Sequence, residues 1–330
     1  MLYIDNQDMM DATLNLALEE YALTQFDISE TYLLFYSMHP TVIVGKNQNT
    51  VEEIDTQYVQ DQGVAVTRRL SGGGAVYNDE GDLSFSFITK NDEHSFHNYR
   101  RFTEPVIRAL RELGVPAELS GRNDILVEGK KVSGNAQFAT RGRMFSHGTL
   151  LFDVNLDNVA KALKVRREKI ESKGLHSVRS RVTNIRPYLN HDMDIHEFKK
   201  VLLERIFAGE PQIPQRHITE DDWAAVSEIA KQRYRNWDWV YGKSPSFNVQ
   251  RTERFPAVGI IDVRLYVEHG RIQHCRFYGD FFGEQDISEL EQLLVGCRYS
   301  PDDIAAALGR LDVRSYFGPI RRDELLGLLY

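Results

Sequence analysis

The residues best suited to chemistry lie in three stretches. The first is Arg68-Arg69-Leu70-Ser71-Gly72-Gly73-Gly74-Ala75-Val76-Tyr77, where two arginines run into three glycines. Without Cβ atoms such a loop brings its N–H groups close to an anion, and the planar fork of Arg69 can hold a phosphate or carboxylate. A solvated surface loop fits the same residues equally well. The second runs from Gly121 to Gly134 and holds Asp124, Lys130 and Lys131. Adjacent lysines on a strand point to opposite faces, so one can be solvated while the other enters a site. Asp124 is a possible hard-metal ligand. Read unaided, this stretch is more simply an ordinary charged hairpin. The third, Lys161 to Arg186, has nine basic residues and two acids, a local charge of +7 on a chain of −8. It suits docking of an acidic partner, closure over a phosphorylated ligand, or a solvated face. His147 in Ser146-His147-Gly148 is a lone histidine, more often structural than catalytic.

Common motifs fail on spacing. Gly242-Lys243-Ser244 lacks the earlier P-loop glycine, since position 237 is Trp237. Gly72-x-Gly74 has Tyr77 where a dinucleotide fingerprint needs glycine, His196-Glu197 is not followed by a second zinc histidine, and no G-x-S-x-G elbow occurs.

Elements must position these stretches. Asp11 caps a helix with Leu14, Ala17, Leu18 and Tyr21 on one face. Tyr32–Tyr36, Thr41–Val44 and Val64–Thr67 read as buried strands, and Leu83–Phe87 as a half-buried strand whose serines face outward. A helix over Arg101–Leu113 stops at Gly114. Glu128-Gly129-Lys130 turns a hairpin between 125–127 and 131–133, and Met144–Val154 forms a further strand. Helices are expected over Glu197–Phe207 and Asp221–Tyr234, then a linker at Gly242–Ser246. Beyond it come a hairpin, Ile260–Val267 with Ile272–Tyr278, and helices around Glu289, Ala305 and Leu325. Two domains follow, 1–245 and 250–330.

Composition narrows the classes. Hydrophobic residues at 42% and charged residues at 27% describe a folded globular chain rather than a disordered one. No apolar run approaches the roughly 20 residues needed to span a bilayer, and the N-terminus has no basic leader. The two cysteines, Cys275 and Cys297, make neither a disulfide framework nor a thiolate zinc site. The acidic balance argues against nucleic acid as partner. The expected address is the cytoplasm.

Taken together the stretches resemble the lipoate–protein ligases. The resemblance rests on Arg68 to Tyr77, Gly121-Arg122-Asn123-Asp124, Lys131-Val132-Ser133-Gly134 and His147-Gly148-Thr149-Leu150-Leu151. Pro40 through Asn49, Ser177 to Asn184 and Trp237-Asp238-Trp239 add to it. It implies an α+β fold, with a mixed-sheet catalytic domain similar to biotin ligases and class II synthetases, and a small α/β accessory domain. It also implies activation of lipoate by ATP and Mg²⁺ to lipoyl-AMP, then transfer to a lysine of an apo lipoyl domain. Such acceptors are 2-oxo acid dehydrogenase E2 subunits and the glycine-cleavage H protein, and the enzyme would be a monomer.

By the same resemblance Arg69, Gly74, Ala75, Val76, Tyr77 and Lys131 contact ATP. Lys131 also meets the lipoyl carboxyl, Ser71, Gly72 and His147 surround the lipoyl pocket, and the loop with Arg179 and Arg181 closes over the adenylate. Strand residues such as Val42, Val44 and Phe85 are candidates for an apolar acyl slot. Asn78 stands where the family usually has histidine. Two other functions remain in view: an ATP-independent octanoyl or lipoyl transferase, and a non-catalytic binding protein. The cysteine-dependent transferase needs a catalytic-domain thiol, and no cysteine precedes Cys275.

Overall fold

The computed structural model describes residues 1–164, 181–241 and 247–330; the side chains of Val51 and Glu52 are outside the description. The linker at Gly242–Ser246, Arg166, Arg167 and Arg179 therefore fall outside the described residues. Two compact units divide the chain. The first holds residues 1–44, 51–69 and 75–240, and the second 45–50, 70–74 and 241–330.

The first unit is built on an eight-stranded mixed sheet. In chain order its strands are β1 (Leu2–Ile4), β2 (Tyr32–Tyr36), β6 (Asp82–Lys90), β7 (Ala117–Ser120), β8 (Asp124–Val127), β9 (Lys130–Thr140), β10 (Arg143–Leu151) and β11 (Gln215–Arg216). Their spatial order is β11-β1-β2-β6-β10-β9-β8-β7. A three-stranded sheet, β4-β3-β5, joins β3 (Thr41–Val44), β4 (Ala65–Arg68) and β5 (Val76–Asn78). Helix α1 (Ala12–Gln25) starts as its sequence requires, with the Asp11 carboxylate accepting from the N–H groups of Thr13 and Leu14. Helix α2 (Tyr99–Glu112) is strongly amphipathic. Its Phe102, Val106 and Leu110 join Phe85 and Phe87 of β6 in one core. Helix α3 (Leu156–Ala162) packs near β5, helix α4 (Ile195–Ile206) on α2, and helix α5 (Glu220–Ile229) on α1.

β6 departs from expectation. Its serines do not face solvent: Asp82 through Thr89 are all buried. Alternation reports which residues share a face and not what covers that face. Here α1 covers it, so the polar side chains lie in the interior. Two boundaries also move. β10 ends at Leu151, before the expected Val154, and the helix expected to reach Tyr234 continues past Ile229 as a π-helical turn, Ala230–Tyr234.

The second unit contains the sheet β12 (Val249–Phe255), β13 (Gly259–Glu268) and β14 (Arg271–Gly279), in that order. Helices α6 (Ile287–Leu294), α7 (Pro301–Leu308) and α8 (Arg322–Leu329) close a separate core around Val263, Leu265, Phe277 and Phe317. β12 escaped the sequence reading because its five central residues, Gln250 to Arg254, are exposed and polar, with no apolar alternation to detect.

Candidate active site

Lys131 is placed by an irregularity. Three residues apart on a regular strand, Lys131 and Gly134 would point to opposite faces. Between β8 and β9 the register slips, Ile125 pairing with Ser133 but Leu126 with Lys131, so Val132 is an extra residue. Such a bulge re-aims the strand. Lys131 Nζ then lies over Gly134, 2.8 Å from where a Cβ on that glycine would stand. The ammonium pairs with the Asp124 carboxylate at 2.8 Å, both groups being about 38% exposed. The carbonyl of Lys131 accepts from the N–H of Thr183 at 3.0 Å, and Lys131 pairs with Val182 in a parallel bridge. Arg181 sits partly buried just before that bridge. The end of the Ser177–Asn184 stretch is thus joined to the lysine by backbone, and Asn184 clamps both the N–H and the carbonyl of Val154.

The two arginines of the glycine motif have different fates. Arg68 forks onto the carbonyls of Trp239 and Val240 at 2.8 Å each, and the Trp239 indole donates back to the Arg68 carbonyl at 2.9 Å. That is an anchor for Trp237–Val240. Arg69 turns inward: it is buried and donates to the Ile43 carbonyl at 3.2 Å. Loss of water around the guanidinium pushes its pKa down to about 10, with neighbouring Arg68 adding to the fall and Tyr36 and Glu19 opposing it. It stays a cation at neutral pH. Tyr77 accepts a hydrogen bond from Asn158 at 3.3 Å, and Ala75 and Val76 lead into β5 beside it. Asn78 is fully buried, and among the described residues neither polar atom of its side chain has a hydrogen-bond partner.

His147 lies on β10 opposite Ser86 of β6 and Ala136 of β9. Its Nδ1 donates to both oxygens of Glu19, at 2.9 and 3.1 Å, and all three of Glu19, His147 and Ser86 are buried. The face that holds them also holds Tyr36, paired across the strand with Ser84 and hydrogen-bonded to it. Desolvation pushes the Tyr36 hydroxyl far above its usual range, so it remains a neutral donor. Burial likewise raises the Asp82 carboxyl well above normal. Glu19, Tyr36 and Ser86 were not among the residues singled out from sequence. One signal was present: Asn15 and Glu19, four apart, lie on the buried side of α1.

Three of the expected residues, Ser71, Gly72 and Gly74, are part of the second unit. There the Ser71 carbonyl accepts from the Lys46 N–H at 2.9 Å, and a Cβ on Gly72 would stand 2.3 Å from the Phe281 carbonyl oxygen. Lys46 also pairs with Asp286 at 3.1 Å. Phe85 packs in the core with Phe87 and Phe102, on the face opposite His147, so it does not line a slot beside that histidine. Among the described residues no group of three or more His, Cys, Asp or Glu could hold a metal ion. No described helix is long and apolar enough to cross a membrane.

Known proteins match this arrangement. The model of the lipoyl protein ligase A/B catalytic domain covers residues 11–207, and that of the bacterial lipoate protein ligase C-terminus covers residues 244–329. Lipoate-protein ligase LplJ of Bacillus subtilis (strain 168) is 54% identical, with 100% of both chains covered. Lipoate–protein ligase 1 of Staphylococcus aureus (strain Mu50) is 48% identical, again over 100% of both. A crystal structure of P. falciparum LipL1 in complex with lipoate superposes with a TM-score of 0.81 over 99% of this chain and 97% of that one; at 23% identity it speaks for the fold. A lipoate-protein ligase A bound with ATP gives 0.60 at 30% identity, over 70% and 94% of the two chains.

Proposed function

The chain belongs to the lipoate–protein ligases, and from that premise we propose that it joins lipoate to apo lipoyl domains in two half-steps through an adenylate. Lipoate and ATP are its substrates. A carboxylate oxygen of lipoate attacks the α-phosphorus of ATP, the bond to the bridging oxygen breaks, and pyrophosphate leaves. The ε-amine of an acceptor lysine, on an E2 subunit or the H protein, then attacks the acyl carbon; AMP departs and the amine releases a proton to solvent.

Neither half-step needs a nucleophile from the enzyme. What the first needs is alignment of two anions and neutralisation of the charge between them. The observation that carries the reading is the Lys131 ammonium, re-aimed by a bulge, paired with Asp124 and roofing a glycine that leaves it room. In the proposal it bridges the lipoyl carboxylate and the α-phosphate, while Arg69 and the Gly74–Tyr77 backbone hold the nucleotide. Ser71, Gly72 and His147 contact the lipoyl group, and Arg179 and Arg181 belong to the segment that covers the adenylate. Mg²⁺ would arrive with ATP and share the phosphate charge, and Asp124 is the carboxylate that would hold it beside phosphate oxygens and water. The reaction is assigned to the cytoplasm and to a monomer.

The test is pyrophosphate release with ATP, Mg²⁺ and lipoate, with and without an apo lipoyl domain. Lipoate-dependent release is expected, and lipoylation of the added domain with it. Acyl transfer between carrier proteins without ATP would replace this reading by the transferase. Cys275 is ill suited to a cysteine route, because it is buried and burial raises its thiol well above the ordinary range.

A further inference from the structure

Trp237-Asp238-Trp239 has no part in either half-step, yet it closes the sheet edge from which Arg69 leaves. β4 is the end strand of its sheet, in the order β4-β3-β5, so β3 pairs with one side of it. The Arg69 N–H donates to the Val44 carbonyl of β3 at 3.1 Å. In a trans peptide the carbonyl and the following N–H point opposite ways. The Arg68 carbonyl therefore faces the outer edge, where a sheet has no strand to satisfy it. There the Trp239 indole N–H meets it at 2.9 Å. The peptide plane between Arg68 and Arg69 is thus held from both sides, by β3 through its N–H and by Trp239 through its carbonyl.

The segment 234–240 wraps that edge. Thr67 and Arg68 are successive residues of β4 and send their side chains to opposite faces. Both end on the segment: the buried Thr67 hydroxyl donates to the Tyr234 carbonyl at 2.8 Å, and Arg68 forks onto Trp239 and Val240. The π-helical turn Ala230–Tyr234 serves the same end, since widening a helix re-aims its side chains. Arg233 from this turn stands over the Trp239 ring, 4.9 Å from its centroid, and pairs with the Glu20 carboxylate at 3.0 Å. A cation on its face and an N–H on a carbonyl fix the indole in both tilt and direction.

We infer that Trp239, 171 positions from Arg68 in the chain, is the positioning residue for Arg69 and sets the affinity for ATP through it. The inference rests on the ligase reading, in which Arg69 holds the nucleotide. Its test is steady-state pyrophosphate release by the full chain at saturating lipoate and varied ATP, then the converse. Trp239→Phe keeps a ring under Arg233 and removes only the N–H. It should raise KM for ATP about fivefold, the worth of one ordinary hydrogen bond, and leave kcat and KM for lipoate near wild type. Arg233→Gln, at a side chain 37% exposed and so a milder change for folding, should raise KM for ATP about twofold. In an Arg69→Gln background Trp239→Phe should add nothing, because the group it positions is gone. A lower melting temperature and kcat with both KM values unchanged would make Trp239 purely structural and overturn the inference, leaving the ligase reading in place. So would an undiminished effect in the Arg69→Gln background. If Trp239→Phe does not fold, an unchanged KM for ATP in Arg233→Gln overturns the inference instead. No pyrophosphate release from the wild-type chain would overturn the ligase reading and the inference together.

Discussion

Lys131 shows how much one side chain is asked to do. An ammonium that bridges two anions in the transition state is worth about 10²–10³ in rate when removed. Lys131→Ala should lose lipoate-dependent pyrophosphate release on that scale. Its thermal midpoint should stay near wild type, because a pair about 38% exposed contributes little to stability. Normal release from the variant would refute the role given to Lys131. Asp82 makes the opposite case, a buried carboxyl the reaction does not use. Burial raises its folded-state pKa, so the native chain keeps a proton that the unfolded chain gives up. Its contribution is fully present below the unfolded value, about 4, and is lost as pH rises. Asp82→Asn should therefore raise the melting temperature more at pH 7 than at pH 4, by a few degrees. Equal shifts at the two pH values would mean the carboxyl is not the cause.

At the scale of elements, two glycines on adjacent strands separate function from packing. A methyl at Gly134 meets only Lys131 Nζ and Cε, at 2.8 and 3.0 Å, the far end of a flexible side chain. One at Gly148 meets Asn135 Oδ1 at 2.2 Å and the Phe85 ring at 2.8 Å, inside the sheet. Gly134→Ala should keep its melting temperature but raise KM for lipoate, since the ammonium must move. Gly148→Ala should lose about 1–3 kcal/mol of stability by overpacking. Thermal melts and lipoate kinetics on the pair check both statements. The bulge at Val132 is the other decisive feature of this region, because without it Lys131 would face away from Gly134 and His147.

For the whole molecule, charge asymmetry matters more than net charge. The chain is −8 overall, yet Lys161–Arg186 is +7. If that run meets the acidic face of an acceptor domain, the acceptor KM should rise with salt, as the screening length falls from about 30 Å at 0.01 M to about 8 Å at 0.15 M. Charge reversal at Arg166 and Arg167 should raise the acceptor KM at low salt and leave pyrophosphate release without acceptor unchanged. Steady-state kinetics with an apo lipoyl domain decide it. An acceptor KM indifferent to both salt and reversal would remove this run from docking.

Much was legible in the linear chain, for local reasons. Asp11 announced α1, the apolar spacing of 101–113 announced α2, and Glu128-Gly129 announced the hairpin that ends at Lys131. Each is encoded within a few residues, by a cap, a period or a turn. The order of the glycine, lysine and histidine stretches sufficed to place the chain in its family. What covers a strand is not local. The serines of β6 read as a wet face because alternation has no term for a helix arriving from residues 12–25. For the same reason Glu19 could not be paired with His147, 128 positions away, nor Ser86 seen to lie beside it. Cross-strand register decided those neighbours, and one extra residue in β9 decided which way the lysine points.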